Sequence, residues 1–118
     1  MVKGIVIKDN GLIEIKEVED KLHNYQEIVD GLIDYVSVDN GVDMIIDDEG
    51  KLKNKPVNAI ATLLLNWNED FIVGDVFIVG VNKEGETISL TDKQIQDYKK
   101  RILRLTFLIN SFMINYTC

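Results

Sequence analysis

Residues 35–46 read YVSVDNGVDMII, in which Asn40-Gly41 separates two runs of β-branched and apolar side chains. Asn-Gly supplies the positive φ angles that a tight turn between antiparallel strands requires. A second pair, Asn10-Gly11, lies between the apolar runs 5–7 and 12–15. The two turns predict two β-hairpins and therefore an antiparallel sheet.

Two short helices are predicted on either side of the second hairpin. Apolar residues recur at helical spacing over 20–29, and Gly31 follows at the position that favours a left-handed C-cap. A polar turn ends at Pro56 and leads into a second helix over 58–67.

The rest of the chain predicts further strands and one long helix. β-branched and aromatic runs extend the sheet at 71–73, 76–81 and 87–90. Thr91 and Gln94 form a capping-box signature, so the last helix covers about 92–116. The predicted fold class is α+β, a single domain over residues 1–118. It consists of a mostly antiparallel sheet built from hairpins, with two short helices and one long C-terminal helix packed on it.

Composition excludes several classes of partner. The chain has 118 residues and a net charge of −7, and such an acidic field repels nucleic acid. Cys118 is the single cysteine, so no intrachain disulfide forms, and the N-terminal residues alternate like a strand rather than a signal peptide. No apolar run reaches the length of a membrane span. We therefore expect a cytoplasmic protein that binds neither nucleic acid nor membrane.

The last helix carries more apolar surface than one sheet needs. Its apolar residues follow a heptad seam: Ile95, Tyr98, Ile102, Leu105, Ile109, Phe112 and Tyr116. After Ile102, further apolar side chains fall off that seam, so the C-terminal half is apolar nearly all round. This pattern predicts a homo-oligomer formed through residues 95–116.

Catalytic and metal-binding patterns are missing from the sequence. His23 is the single histidine and has no nucleophilic partner nearby in the sequence, and no glycine-rich phosphate loop is present. The acidic run Asp43, Asp47, Asp48 and Glu49 lacks the spacing of a calcium loop and is interpreted as a solvated turn. We therefore expect no enzyme activity, no cofactor and no metal.

Basic residues near helix starts suggest a binding site for an anion. Lysines precede the helix that begins near Asn58, where free backbone N–H groups add to their charge. A second basic group lies on the last helix, and aromatic rings could stack on a base. Both features also have a structural explanation, as solubilising lysines and core rings. The candidate ligand-binding residues are Lys51, Lys53, Lys55, Asn58, Thr62, Trp67, Tyr98 and Arg101.

Residues 25–80 resemble a family of small proteins from phages and mobile elements, the domain of unknown function 3846 (DUF3846) family. The resemblance is carried by Gln26–Val29 with Gly31, Ile33 and Asp34, by Glu49-Gly50-Lys51-Leu52 with Pro56 and Asn58, and by the strand residues 72–74 and 77–80. Family members often have arginine after the asparagine, where this chain has Ala59.

The resemblance implies a role in counter-defence inside an infected bacterium. One expectation is capture, without cleavage, of a nucleotide immune signal such as a cyclic ADP-ribose or a cyclic dinucleotide. The alternatives are a protein–protein inhibitor or DNA mimic that blocks a defence enzyme, and a non-enzymatic phage accessory protein.

Overall fold

The computed structural model describes residues 1–65 and 70–117, with side chains described as far as residue 112. The elements in chain order are β1 (Val2–Ile7), β2 (Ile13–Val18), α1 (Leu22–Val29), β3 (Ile33–Asp39), β4 (Val42–Asp47), α2 (Ala59–Leu64), β5 (Val76–Val81), β6 (Thr87–Ile88) and α3 (Asp92–Thr117).

The six strands form one sheet in which each pairing is antiparallel. The order is β2-β1-β5-β4-β3, and β6 pairs with the end of β5. Both predicted hairpins are present, and the positive φ of Gly41 (81°) closes the second one. The central strand β5 is buried along nearly its whole length. The predicted α+β fold with an antiparallel sheet is confirmed.

Strand alternation gives the sheet two apolar faces, and helices pack on both. Ile5 and Ile78 belong to the core on one face, together with buried side chains of α2 and α3. Val6 and Phe77 belong to the other core, with α1 residues. The helices therefore form outer layers around a central sheet.

The first half of α3 packs into the core of its own chain. Its capping box is formed as predicted, with Thr91 N donating to Gln94 Oε1 (2.8 Å) and Gln94 N donating to Thr91 Oγ1 (3.1 Å). The buried seam residues are Ile95, Tyr98 and Ile102, and Leu105 and Ile109 pack partly buried against them. The predicted seam thus faces the sheet of its own chain as far as Ile109.

Phe112, further along the predicted seam, is 62% exposed. The side chain of Tyr116 lies outside those described.

Several predicted boundaries are corrected. The left-handed cap of α1 is Asp30 (φ 57°), not Gly31. Gly31 is required because a Cβ there would overlap the Asp47 carboxylate. The segment 71–73 forms only an isolated bridge, between Val73 and Val57, because it pairs with residues 56–58 ahead of α2 instead of joining the sheet.

The remaining corrections concern element lengths. The strand predicted over 87–90 is formed only at Thr87–Ile88, since Ser89 and Leu90 turn to bond Lys3 of β1. The helix α2 ends at Leu64, and the last part of the helix predicted over 58–67 lies outside the described residues.

Candidate functional site

The loop that joins β4 to α2 directs two of its lysines onto a buried carboxylate. The Asp47 side chain has no exposed surface, and its Oδ2 lies 2.6 Å from Lys55 Nζ and 3.1 Å from Lys53 Nζ. Lys55 Nζ also donates to the carbonyl oxygens of Val29 and Asp30, at 2.8 Å each. Those carbonyls lie at the C-terminal end of α1, where the helix dipole favours a cation. The ammonium groups therefore join α1 to the end of β4.

Asp47 stays ionised although it is buried. Burial raises the pKa of this carboxyl group, but hydrogen bonds from Lys55, from the Glu49 backbone N–H and from Lys53 outweigh burial and hold the pKa below its usual value. The interpretation of the acidic run as a solvated turn is therefore wrong for Asp47. The lysines that the sequence suggested for a ligand anion bind an anion of the protein itself.

Lys51 lies apart from the other two lysines, at a cleft beside α2. Its ammonium forms an exposed ion pair with Asp70. The cleft has a volume of about 440 Å³. Among the described residues that line it, Lys51 is accompanied by the exposed acidic residues Asp48 and Asp70, whereas the Asp47 carboxylate is enclosed beneath the loop. This negative surrounding opposes a phosphate group.

Asn58 is buried at the start of α2, where its side chain holds three segments together. Its Oδ1 accepts from the Ala61 backbone N–H (3.1 Å), which makes it the N-cap of the helix. Its Nδ2 donates to the carbonyl oxygens of Ile7 (3.0 Å) and Gly74 (2.9 Å). Both amide hydrogens are used, so the predicted anion site at this helix start finds no support in the geometry.

Thr62 adds a second buried link on the same helix. Its hydroxyl donates to the Asn58 carbonyl (2.9 Å) and accepts from the Ile72 backbone N–H (3.0 Å). Thr62 is 4% exposed and Asn58 is 1% exposed. Both candidate residues therefore hold α2 against β1 and the chain before β5.

Tyr98 and Arg101 of α3 converge on Asp39 at the tip of the second hairpin. The Tyr98 hydroxyl donates to Asp39 Oδ2, and Arg101 Nη1 donates to the same oxygen at 2.9 Å. The guanidinium carbon of Arg101 lies 4.9 Å from the centroid of the Tyr98 ring, a cation–π distance. The ring is buried, whereas the Arg101 side chain is 39% exposed. Arg101 is thus held in place with part of its donor set facing solvent.

The protonation states of this cluster are fixed by its contacts. Burial, and next the hydrogen bond to Asp39, raises the pKa of Tyr98 far above its usual value. The Tyr98 hydrogen bond is also the main reason why the pKa of Asp39 lies below its usual value, and Arg101 adds to it. At neutral pH the phenol keeps its proton and the carboxylate stays charged.

This cluster lines an open pocket of about 520 Å³, which lies between the β3–β4 turn and α3. Its cationic residues are Lys100, Arg101 and Arg104, and its carboxylates are Asp39 and Asp97. Lys100 and Arg104 form no salt bridge with another described residue. This pocket is locally cationic on an acidic protein.

The structure therefore separates the predicted site residues into groups. It brings Lys53 together with Lys55, and Tyr98 together with Arg101, but Lys51 lies at another cleft. Trp67 lies outside the described residues.

Sequence reasoning missed the two carboxylates that organise these groups, Asp39 and Asp47. Asp39 is 59 positions from Tyr98, so no local pattern joins them. The sequence did contain a signal for Asp47. It lies at the end of an apolar strand, two positions after Ile45, so its side chain lies on the same buried face of the sheet as that of Ile45. Lys100 and Arg104 belong to the basic group of the last helix, but their spacing in the sequence does not assign them to a pocket.

Two further observations bear on what the site can do. Within the described residues, no group of histidine, cysteine and carboxylate side chains is arranged to hold a metal ion. No helix of the described chain is both long enough and apolar enough to cross a membrane. His23 is exposed on α1.

The fold and the pocket define a small acidic α+β domain with a cationic pocket beside its C-terminal helix. The chain belongs to the family described as "Domain of unknown function (DUF3846)", whose model matches residues 2–103. The match extends well beyond the 25–80 resemblance and ends midway along α3. Neither the curated proteins nor the solved structures contain a match to this chain.

Proposed function

We propose that this protein captures a phosphate-bearing small molecule of the nucleotide class in the pocket beside α3, and releases it unchanged. The observation that carries the proposal is the cationic group formed by Lys100, Arg101 and Arg104 around the Tyr98–Asp39 pair. The pocket volume of about 520 Å³ lies within the range of roughly 300–1,000 Å³ typical of small-molecule sites.

The charge distribution along the chain supports this choice of site. Residues 92–117 contain five Lys or Arg and two Asp, a net charge of +3. Because the whole chain has a net charge of −7, the remaining residues together carry −10. An anion is repelled by most of the surface and attracted to α3. The lysines of the β4–α2 loop offer no comparable attraction, because Asp47 and Asp70 neutralise them.

Arg101 is suited to be the main phosphate contact. Its guanidinium has five N–H donors in a rigid fork, and the structure assigns one nitrogen, Nη1, to Asp39. The ring of Tyr98 and the Asp39 carboxylate fix its position before a ligand arrives. Less conformational entropy is then lost on binding.

The protonation states support capture rather than conversion. The raised pKa of Tyr98 keeps its phenol from acting as a base near neutral pH, and the lowered pKa of Asp39 keeps that carboxylate from acting as an acid. The resemblance of residues 25–80 to small proteins of phages and mobile elements favours an immune signal as the captured compound. Cyclic ADP-ribose isomers and cyclic dinucleotides are therefore the probes of choice.

Titration calorimetry with those compounds tests the proposal. A charge-assisted hydrogen bond contributes about 1.5–3 kcal/mol, so Arg104→Ala or Lys100→Ala should each weaken binding about tenfold or more. Lys93→Ala is the matched control, because Lys93 is exposed on the same helix but does not line the pocket. Ligand recovered after heat denaturation should be chemically intact.

Three results would count against capture at this pocket. No heat with any of these compounds removes the proposal and favours the protein-inhibitor alternative. Recovery of a hydrolysed nucleotide indicates an enzyme. Equal weakening by Lys93→Ala indicates a general charge effect without a defined site.

A further inference from the structure

The outward face of α3 leaves a large apolar surface uncovered. Leu103, Phe107 and Leu108 are 71%, 70% and 60% exposed. Leu12 and Ile13 of the first hairpin, 63% and 39% exposed, line the same groove as Leu103. We call these five residues the outer apolar patch.

We propose that the outer apolar patch is the interface of a symmetric dimer, in which a second copy of this chain packs its α3 antiparallel against the first. The inference does not rest on the proposed ligand. It also differs from the predicted heptad interface, whose residues face the sheet as far as Ile109.

The size of the patch fits a dimer. Its five side chains expose roughly 100 Å² each, judged from the 150–250 Å² that a large aromatic residue can bury, so one copy offers on the order of 500 Å². A patch of this size equals the largest found on a typical monomer. Two copies together bury about 1,000 Å², the lower bound for a specific interface.

The chemistry of the segment favours a second copy over a charged partner. Residues 105–117 contain no charged side chain, although 28% of the whole chain is charged. A helix that binds a membrane surface usually carries basic residues along its length, whereas the basic residues of α3 end at Arg104. The part of the patch beyond Arg104 is therefore uncharged and is complemented by another copy of itself, as an isologous interface requires, whereas Lys99, Lys100 and Arg104 border the part nearer the start of α3.

Charge decides the orientation of the two helices. In an antiparallel pair centred between Phe107 and Leu108, a rise of about 1.5 Å per residue places the two Lys100 positions about 22 Å apart along the axis and the nearest basic pair, the two Arg104 positions, about 10 Å apart. Both separations exceed the Debye length of about 8 Å at physiological salt. A parallel pair would place all the basic residues of the two helices side by side. The antiparallel arrangement thus keeps the positive ends apart.

Sedimentation velocity and native mass spectrometry test the dimer. Both are measured in reducing buffer, at protein concentrations of roughly 1–50 µM. The wild-type chain should have the mass of a dimer, and Phe107→Asp and Leu108→Asp should each give a monomer. Both side chains are mostly exposed, so circular dichroism should show a folded protein in each case. Leu22→Asp is the matched control, since Leu22 is 57% exposed on α1, across the sheet from α3. That variant should remain a dimer.

Cross-linking tests the orientation. In a Cys118→Ser background, Leu108→Cys should form an intermolecular disulfide on mild oxidation, because residue 108 lies next to the proposed two-fold axis. Lys100→Cys in the same background should not. Efficient cross-linking at both positions would indicate a parallel pair and overturn the antiparallel arrangement.

The other occupants of the patch are distinguished in the same experiments. A wild-type monomer throughout the concentration range overturns the proposal, as does a dimer that survives both aspartate variants. A trimer or larger assembly excludes the two-fold interface. A monomer that co-sediments with vesicles of phosphatidylglycerol would instead assign the patch to a lipid surface.

Discussion

Two basic groups of this protein resemble each other in sequence and differ in structure. The lysines of the β4–α2 loop converge on Asp47, whose carboxylate has no exposed surface. The basic residues of α3 surround Asp39, whose side chain is half exposed. In the first group the buried carboxylate of Asp47 pairs with the ammonium groups of the lysines. In the second group, part of the cationic surface still faces solvent. The comparison shows that a basic cluster indicates an anion site only after its internal counter-charges are known.

The difference has a topological cause. Asp47 ends β4 on the face that α1 covers, so α1 and the following loop enclose it. Asp39 ends β3 at an edge of the sheet, where α3 covers it on one side only. Burial makes the first group part of the fold, and exposure leaves the second available for a ligand.

The largest effect is expected from breaking the buried group. Lys55→Met keeps the aliphatic stem but removes the ammonium that bonds Asp47, Val29 and Asp30. Removing one partner of a buried ion pair costs about 3–5 kcal/mol, and we expect about 3 because Lys53 still reaches Asp47. Urea unfolding measures the loss.

Lys51→Met is the matched control for that substitution. Its ion pair with Asp70 is exposed, so the free energy of unfolding should stay the same within error. If the two variants were equally stable, the loop lysines would not differ in role, and the comparison of the two basic groups would lose its basis.

A second prediction separates the two functions of Asn58. Asn58→Asp keeps the oxygen that caps α2 but replaces the amide donors that face the Ile7 and Gly74 carbonyl oxygens. We expect a loss of at least about 2 kcal/mol, since the Ile7 and Gly74 carbonyl oxygens lose their donors and face a buried carboxyl group instead. Thr62→Ser keeps its hydroxyl and should cost less than about 1 kcal/mol. Equal stability of wild type and Asn58→Asp would show that capping is the whole role of this residue.

Much of the fold could be predicted from interactions between residues that are close together in the sequence. Asn40-Gly41 and the Thr91–Gln94 box acted through neighbours in sequence, and both are formed as predicted. The seam of α3 was recognised by its spacing, but spacing does not say whether a helix faces its own sheet or a second chain. That choice depends on the length of α3 relative to the strands beneath it.

The candidate site was harder to predict than the fold. A lysine reaches partners in every direction, so its sequence position does not determine where its ammonium lies. Lys55 contacts residues 25 and 26 positions away, and Arg101 contacts one 62 positions away. Asn58 was singled out for its place at a helix start, and its amide instead serves β1 and the chain before β5.

Both carboxylates should make the stability of the folded protein sensitive to acid. The folded-state pKa of Asp47 lies below its unfolded value of about 3.9, so its contribution to stability is present above that pH and is lost as pH falls through the folded-state pKa. Asp39 behaves in the same direction. Unfolding free energies measured between pH 7 and pH 2, roughly the interval that spans both titrations, should fall less steeply for Asp47→Asn than for wild type.

Salt distinguishes the two carboxylates in that experiment. Solvent screens the half-exposed Asp39 pair, so added sodium chloride should remove most of the difference between wild type and Asp39→Asn. The difference for Asp47→Asn should persist, because its ion pairs are shielded from solvent. An equal response to salt would show that Asp47 is more accessible than its burial indicates.

A smaller loss of stability than for Lys55→Met is expected from Tyr98→Phe, which tests how Arg101 is held. The substitution removes the hydroxyl that donates to Asp39 but keeps the ring beneath the guanidinium. A hydrogen bond to a charged group is worth about 1.5–3 kcal/mol, and because Asp39 is half exposed the loss of stability should be near the lower end, about 1.5 kcal/mol. The pKa of Asp39, followed by NMR, should rise towards its usual value, because the Tyr98 hydrogen bond is the main cause of its lowering.

The affinity of Tyr98→Phe for the ligand should change little, since Arg101 keeps its contacts with both the aromatic ring and the Asp39 carboxylate. If Tyr98→Phe abolished binding while the fold survived, the hydroxyl itself would contact the ligand, and the buried half of this cluster would belong to the binding site.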